Sequence, residues 1–180
     1  MSTLHVLPVG TVDEETLAAI TEGVMRTFGM NVLRLGSMGS PEFAFDRNRL
    51  QYSSEVILRA IVSQRQDRAL RVLAVTDVDL FIPMLTFVYG QAQLNGCVSL
   101  VSTSRMHQEF YGLPRNKVLT VQRAVKESLH ELGHTFGLTH CPDPLCLMSI
   151  ATGVGQLDAK GGKFCGNCSL LVCHMLSSFS

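Results

Sequence analysis

The stretch His130-Glu131-Leu132-Gly133-His134-Thr135-Phe136-Gly137-Leu138-Thr139-His140 ends a longer segment of helical apolar periodicity. Residues four apart on a helix differ by only about 40° in direction, so His130 and His134 project from one face. Gly137 can adopt a positive φ without a Cβ clash, which ends the helix and turns the chain. His140 then comes back towards the first two histidines. The sequence therefore predicts three imidazoles that meet at the C-terminal end of a helix.

Three neutral imidazoles suit a tetrahedral Zn²⁺ and leave one coordination position open, which distinguishes catalytic from structural zinc. A water in that position has its pKa lowered towards about 7. Glu131 lies next to a histidine without being needed as a ligand, so it can take the proton of this water as the water attacks a carbonyl. Two histidines four apart occur by chance on many helices, but Gly137 and His140 make the full match far more restrictive. We predict a catalytic zinc on His130, His134 and His140, with Glu131 as general base.

Four downstream cysteines form two close pairs, Cys141 with Cys146 and Cys165 with Cys168. Two such pairs separated by a spacer are the arrangement of a four-thiolate structural zinc site. A redox Cys-x-x-Cys is the alternative for the second pair, but such a motif follows a strand and residues 160–164 are a glycine-rich loop. We expect a second zinc to cross-link residues 138–168, which contain little periodic apolar sequence. Because Cys141 follows His140 directly, loss of this zinc should damage the first site.

The remaining cysteines and histidines do not suggest sites. Cys97 and Cys173 lie in apolar runs, where small buried side chains are the usual role of cysteine. His5, His107 and His174 are expected to be ordinary surface or hydrogen-bonded residues. The glycines between residues 153 and 166 follow no strand and show no phosphate-binding pattern.

Composition restricts the classes of protein that the chain can be. With 180 residues, of which 46% are hydrophobic and 17% charged, it should form one domain, or one domain with a small appendage, around a single core. Lys plus Arg equals Asp plus Glu at 15 each, so no net charge attracts nucleic acid or an anionic membrane. The first ten residues do not resemble a secretory signal, and no apolar stretch reaches the ~18 residues of a membrane span. We expect a soluble, monomeric, cytoplasmic protein whose six cysteines are thiols or metal ligands rather than disulfides.

Strand-like and helical patterns alternate along the first half of the chain. A strand at 4–9 precedes a helix that begins at Asp13 and ends at Gly29, and strands follow at 31–35 and 70–76, with a helix capped by Ser53 or Ser54 between them. This alternation predicts a mostly parallel sheet covered by helices.

Two further strand-like runs, 86–93 and 97–103, are separated by a hairpin-type break at 94–96, so the sheet should gain an antiparallel member. One long helix is then predicted at 118–136. We expect an N-terminal subdomain, 1–137, that ends with this helix, and a C-terminal subdomain, 138–180, that carries the third histidine and the cysteines.

The run His-Glu-x-x-His-x-x-Gly-x-x-His-Cys-x4-Cys-x-Met, followed by Cys-x-x-Cys, resembles the archaemetzincin (archaelysin) family of metzincin zinc metallopeptidases. The motifs cover residues 130–168, and for residues 1–129 only the order of elements agrees. The resemblance implies an α/β (α+β) zincin with a twisted mixed sheet, an antiparallel edge strand, backing helices, an active-site helix and a small zinc-stabilised C-terminal subdomain. It also implies a Met-turn at Met148 beneath the metal, and the same two sets of zinc ligands, hence two Zn²⁺.

In metzincins the antiparallel edge strand pairs with an extended peptide substrate, and by order this strand would be 86–93. Two departures stand out. Cys141 follows the third histidine where several metzincin families have Asp or Ser, and Ile150 stands where some relatives have a tyrosine that stabilises the oxyanion.

These observations predict a zinc metallopeptidase that hydrolyses short peptides, with aminopeptidase action as one form of this activity. The chief rival is a weakly active or non-catalytic peptide-binding protein on the same scaffold. Glu131 favours the enzyme, because nothing else obviously requires a carboxylate at that position. A nucleic-acid-binding zinc protein is disfavoured by the neutral charge and by the scarcity of basic residues around the cysteines.

Overall fold

The computed structural model of the chain describes residues 3–64 and 71–177. The strands are β1 (Thr3–Val9), β2 (Asn31–Arg34), β3 (Phe45–Asp46), β4 (Gln51–Ser53), β5 (Arg71–Thr76), β6 (Leu80–Phe81), β7 (Gly90–Ala92) and β8 (Val98–Ser102). The α-helices are α1 (Glu14–Phe28), α2 (Ser54–Gln64), α3 (Lys117–Thr135), α4 (Val154–Ala159) and α5 (Gly166–Ser177). Short 3-10 turns cover Glu42–Ala44, Ser104–Met106 and Gln108–Tyr111.

A mixed sheet in the order β2-β1-β5-β8-β7 forms the centre of the molecule. Strands β2, β1, β5 and β8 are mutually parallel, and β7 runs antiparallel to β8 at the edge. Successive side chains of a strand point to opposite faces, and β5 is buried on both. Leu73 and Val75 pack in the core shared with α1 and α3. Val72 and Ala74 pack in the core shared with α2. The predicted mostly parallel sheet with an antiparallel edge and covering helices is confirmed, and the structure places helices on both of its faces.

The predicted helices α1, α2 and α3 are confirmed, and their ends have the expected causes. At the start of α1, Asp13 accepts a 2.8 Å hydrogen bond from the amide of Thr16, and Gly29 ends the helix at φ 63°. The predicted helix 118–136 is α3, which begins after Asn116, whose side chain accepts from the amide of Leu119 at 3.0 Å. Gly137 has φ 88°, so the chain leaves α3 through the left-handed conformation that glycine favours.

The structure corrects the sequence prediction in the edge region. The predicted strand 86–93 is shorter, because only Gly90–Ala92 pairs with β8, whereas Val88 forms an isolated bridge with Leu80. A second sheet in the order β3-β4-β6 was not predicted, since its strands have only two or three residues each. Leu70, the predicted start of the strand at 70–76, lies outside the described residues.

The C-terminal segment contains two helices that the sequence prediction missed. In α4 only Leu157 is buried, and in α5 only Cys168 and Val172 are buried. Because so few positions of each helix are buried, the sequence shows little apolar periodicity there, and helix prediction depends on that signal. Among the described residues, no helix has the length together with the apolar character that a membrane crossing requires.

Candidate metal centre and active site

Helix α3 and the turn after it bring the three predicted histidines together. Nε2 of His130 and Nε2 of His134 are 3.1 Å apart, and the ring of His140 lies 5.3 Å and 4.9 Å from their respective ring centroids. One nitrogen from each of the three histidines lies within 4.8 Å of the others. This is the spacing of ligands around one ion. His130, His134 and His140 thus form a histidine triangle, which is accessible because His140 is exposed.

Backbone carbonyls orient two of the imidazoles. Nδ1 of His130 donates to the carbonyl of Leu147 at 2.9 Å, and Nδ1 of His134 donates to the carbonyl of Leu138 at 2.7 Å. A carbonyl only accepts, so both rings carry their proton on Nδ1 and present Nε2 as a lone pair. Burial lowers the pKa of His130 to about 4 and also lowers the pKa of His134. Both rings are thus neutral at pH 7, as metal ligands must be.

Glu131 is buried beside this triangle, under the edge strand. Its Oε2 atom has no hydrogen-bond partner among the described residues, and its side chain is in contact with Gly90. Burial first, and then the charge of Glu127, raise the pKa of Glu131 well above its usual range, while Lys160 acts in the opposite direction. A divalent cation nearby favours the ionised carboxylate. The three nitrogen donors and the unpartnered carboxylate oxygen beside them therefore fit a zinc ion.

Met148 lies directly beneath α3. It is fully buried, and a Cβ atom added to Gly133 would lie 2.5 Å from its Sδ atom, so the helix backbone rests on the thioether. The amide of Cys141 donates to the carbonyl of Met148 at 2.9 Å. The residue after the third histidine is thereby attached to the turn beneath the histidines, where the resemblance places a Met-turn.

The four cysteines of the predicted structural site also meet, and their Sγ atoms all lie within 4.8 Å of one another. All are free thiols. Sγ of Cys146 accepts from the amides of Met148 at 3.4 Å and Cys165 at 3.3 Å. A backbone hydrogen bond from Cys168 lowers the pKa of Cys165 to about 7. A thiolate stabilised in this way is the form that binds metal.

The other cysteines and histidines are away from these clusters. Cys97 is partly buried against the α2 core, as expected, but Cys173 is exposed on α5, so the expectation that it is buried was wrong. His107 is hydrogen-bonded to Asp77 at 2.9 Å, in agreement with an ordinary polar role.

Glu127 and Lys160 form a buried ion pair behind His130, and neither residue was predicted from the sequence. Nζ of Lys160 lies 3.0 Å from Oε2 of Glu127 and 3.4 Å from Nδ1 of His130. Glu127 precedes Glu131 by one helical turn, and this i, i+4 spacing is a signal that could have identified it. Lys160 lies at the start of a glycine-rich run, where nothing in the local sequence indicates burial.

Two cavities flank the histidines along the edge strand. One of about 360 Å³ is lined by β7, His134 and Thr139, and the other, of about 220 Å³, by residues 85–90, Glu127 and 150–152. Both reach Glu131 and His140. Strand β7 is the last strand of the central sheet, and its residues line the larger of these two cavities.

The central sheet is mixed and has an antiparallel edge, and beside it lie an accessible histidine triangle with a buried glutamate and a four-cysteine cluster. This combination defines a metzincin-type zinc metallopeptidase, a class of hydrolase. The model of Peptidase family M54 matches residues 25–173. Archaemetzincin of Pyrococcus furiosus is 39% identical over 169 residues, which cover 91% of this chain and 88% of that protein. The chain belongs to peptidase family M54, the archaemetzincins.

Solved structures agree with this assignment. A zinc-dependent peptidase from Methanocorpusculum labreanum superposes with a TM-score of 0.86 at 29% identity, covering 94% of this chain and 99% of that one. Archaemetzincin from Methanopyrus kandleri superposes with a TM-score of 0.84 at 32% identity, covering 97% of this chain and 96% of that one. The expected metzincin-like fold is thus confirmed.

Proposed function

We propose that the protein hydrolyses short, extended peptides with Glu131 as general base and a catalytic zinc on His130, His134 and His140. The observation that carries the proposal is the unpartnered carboxylate oxygen of Glu131, which is buried beside three convergent imidazoles in an accessible cleft. A protein that only binds peptides gains nothing from such a costly group.

In this proposal the substrate binds as an added strand along β7. Backbone hydrogen bonds to an edge strand hold a peptide without much selection of its side chains. The scissile carbonyl then lies over the histidines, with neighbouring residues in the two flanking cavities. Zinc supplies a Lewis acid that polarises this carbonyl and lowers the pKa of water.

Glu131 performs the proton transfers. Its carboxylate accepts a proton from the attacking water and delivers it to the amine of the leaving peptide. Strand β7 lies against the side chain of Glu131 and restricts its position. The acid returns to the ionised form when it gives its proton to the nitrogen of the breaking C–N bond. The Nδ1 hydrogen bonds to Leu147 and Leu138 keep the two imidazoles in one orientation throughout.

A second zinc on Cys141, Cys146, Cys165 and Cys168 is proposed to be structural. Four thiolates form a closed tetrahedral site with no position for substrate. The cluster joins the chain after His140 to the first turn of α5, so its metal would hold the C-terminal segment against α3. Free thiols at all six cysteines also suit a reducing compartment such as the cytoplasm.

The cleft continues on both sides of the histidines, which supports cleavage within a peptide as well as near its amino terminus. The decisive experiment is mass spectrometry of a diverse peptide mixture, with free and blocked amino termini, after incubation with zinc-loaded wild type and with Glu131→Gln. We expect cleavage by the wild type alone, on both kinds of terminus. Cleavage restricted to free termini would identify an aminopeptidase.

Equal product from both proteins at matched zinc content would contradict Glu131 as the base. Absence of product from both, together with saturable binding of the same peptides, would instead support the non-catalytic peptide-binding alternative.

A further inference from the structure

A lysine is almost completely buried next to the histidine triangle. The side chain of Lys160 is 1% exposed and that of its partner Glu127 is 6% exposed, with 3.0 Å between Nζ and Oε2. Glu127 belongs to α3, whereas Lys160 directly follows α4. The pair therefore connects the active-site helix to the C-terminal segment through its interior.

Stability does not explain why this pair is charged. Transferring two ions from water to the protein interior costs more free energy than burying apolar side chains of similar shape. A buried ion pair is therefore weak evidence of stabilisation. The α3–α4 contact also has other polar anchors. Arg123 binds Asp158 through two 2.6 Å hydrogen bonds, and Lys126 donates to the carbonyl of Asp158 at 3.0 Å.

What distinguishes Lys160 is that its Nζ atom has two further neighbours besides Glu127. Its Nζ atom also lies 3.4 Å from the carbonyl of Ser149 and 3.4 Å from Nδ1 of His130. Ser149 directly follows Met148, and the same short segment supplies the carbonyl of Leu147 that accepts from His130. One ammonium group thus contacts the helix, the turn beneath the histidines and the back of one imidazole.

We propose that Glu127 and Lys160 are positioning residues, which hold residues 147–149 against α3 so that the carbonyl of Leu147 keeps His130 oriented for zinc. Neither residue touches the substrate carbonyl in this scheme. The role rests on the proposed peptidase function, because its consequence for catalysis is a correctly aimed His130 ring.

A carboxylate at residue 127 also explains the need for a cation there. Ligand atoms of Glu127, His130 and Glu131 lie within 4.8 Å of one another, so these residues form a second possible metal cluster next to the histidine triangle. The ammonium of Lys160 neutralises Glu127 and keeps it engaged. Glu127 then does not compete with the histidine triangle for the metal.

The test is the neutral double variant Glu127→Gln/Lys160→Met, which removes both charges while preserving side-chain length. Because the pair contributes little net stability, we expect the zinc-loaded variant to unfold within about 0.5 M urea of the wild type. We expect kcat to fall at least about tenfold with KM within about twofold, as for a misaligned catalytic group. Zinc at the histidine site should exchange faster with a chelator.

Nuclear magnetic resonance of the histidine rings gives a readout independent of activity. In the wild type, the His130 Nδ1 proton should be protected by its hydrogen bond to Leu147, and in the double variant this resonance should shift or exchange. The matched control is Lys126→Met, which also removes a lysine between α3 and α4, but one whose Nζ atom donates to the carbonyls of Leu157 and Asp158 rather than to residues 147–149. Its kcat should remain within about twofold of the wild-type value, and its histidine-ring spectrum should be unshifted.

Lys160→Arg, which keeps the charge and the donors, should retain a larger fraction of the wild-type kcat than Lys160→Met. An unchanged His130 resonance and an unchanged kcat in the folded double variant would overturn the proposal. If the wild type itself cleaves no peptide, the resonance and the chelator exchange still decide the positioning role, and only the proposed function fails.

Discussion

The backbone of Gly90 lies directly against the side chain of Glu131. A Cβ atom at residue 90 would lie 2.6 Å from Cγ and 2.8 Å from Oε1 of Glu131, and 2.7 Å from the carbonyl of Leu100 on the neighbouring strand. Real Cβ atoms do not approach other atoms so closely. The edge strand can therefore cover the proposed general base only because residue 90 has no side chain.

Gly90→Ala should reduce kcat by roughly a hundredfold, because a shift of about 1 Å in a catalytic group has effects of that size. Steady-state kinetics on a cleaved peptide, with zinc content measured in parallel, checks this. The control is Gly155→Ala, where an added Cβ meets nothing within 4 Å. Wild-type kinetics for Gly90→Ala would show that Glu131 tolerates displacement or is not the base.

Gly133 and Met148 should be strongly coupled. Gly133→Ala drives a Cβ into the buried thioether of Met148, and such overpacking costs about 1–3 kcal/mol. In a Met148→Ala background the clash is gone, so the same substitution should stabilise α3 by up to about 1 kcal/mol through helix propensity. Urea unfolding of the four zinc-loaded proteins measures both values. The same sign of effect in both backgrounds would contradict the packing seen here.

His140→Ala should remove the histidine-site zinc selectively, because His140 is the proposed ligand that lies outside α3 and the four thiols are untouched. Metal analysis should show a fall of about one zinc per chain, with peptide hydrolysis abolished. His107→Ala, which alters a histidine paired with Asp77 at 2.9 Å, serves as the control and should keep its zinc. Full zinc occupancy in His140→Ala would eliminate His140 as a ligand.

Cys146→Ser should damage both sites. Its Sγ atom is buried and accepts from the amides of Met148 and Cys165, so the loss of its metal loosens the turn beneath the histidines. We expect the zinc content to fall by more than one per chain and residues 138–177 to become sensitive to limited proteolysis. Cys173→Ser, at an exposed position on α5, should behave as the wild type. Selective loss of one zinc with full activity would show that the two sites are independent.

Asp13 gives a pH-dependent prediction remote from the metals. Its hydrogen bonds to Lys117 and to the Thr16 amide lower its pKa from 3.8 to about 2. Since the folded-state pKa is the lower one, the stabilisation is complete above about pH 4 and is lost as the pH falls towards 2. Asp13→Ala should cost about 1 kcal/mol at pH 7.

Urea unfolding of Asp13→Ala and wild type at several pH values checks this dependence. Metal loss in acid affects both proteins alike, so the difference between them isolates Asp13. A difference that stays constant down to pH 2 would exclude the carboxylate as its source.

Local sequence was sufficient where the structure depends on local geometry. His130 and His134 share a helical face by their spacing alone, Gly137 ends α3 for a stereochemical reason, and Asp13 caps α1 through its own turn. Within each cysteine pair, Cys141 with Cys146 and Cys165 with Cys168, the short spacing likewise brings the two thiols together. In each case the residues lie close in the chain, so rotation per residue and turn chemistry determine where the side chains meet.

Local sequence was insufficient where one segment packs against a distant one. The edge strand is shorter than its apolar pattern predicts, because Val88 bridges Leu80 instead of continuing along β8. Helix α5 has a buried face of only two residues, so periodicity could not indicate it.

The sequence by itself determined the class of chemistry, since three histidines, a glutamate and four cysteines at fixed spacings admit few other uses. Only the tertiary structure decided how that chemistry is supported: that Gly90 covers Glu131, that Met148 lies under Gly133, and that Lys160 is buried against Glu127 behind His130. These contacts join residues far apart in the chain. They depend on how helices and strands pack, and no short-range pattern in the sequence encodes that packing.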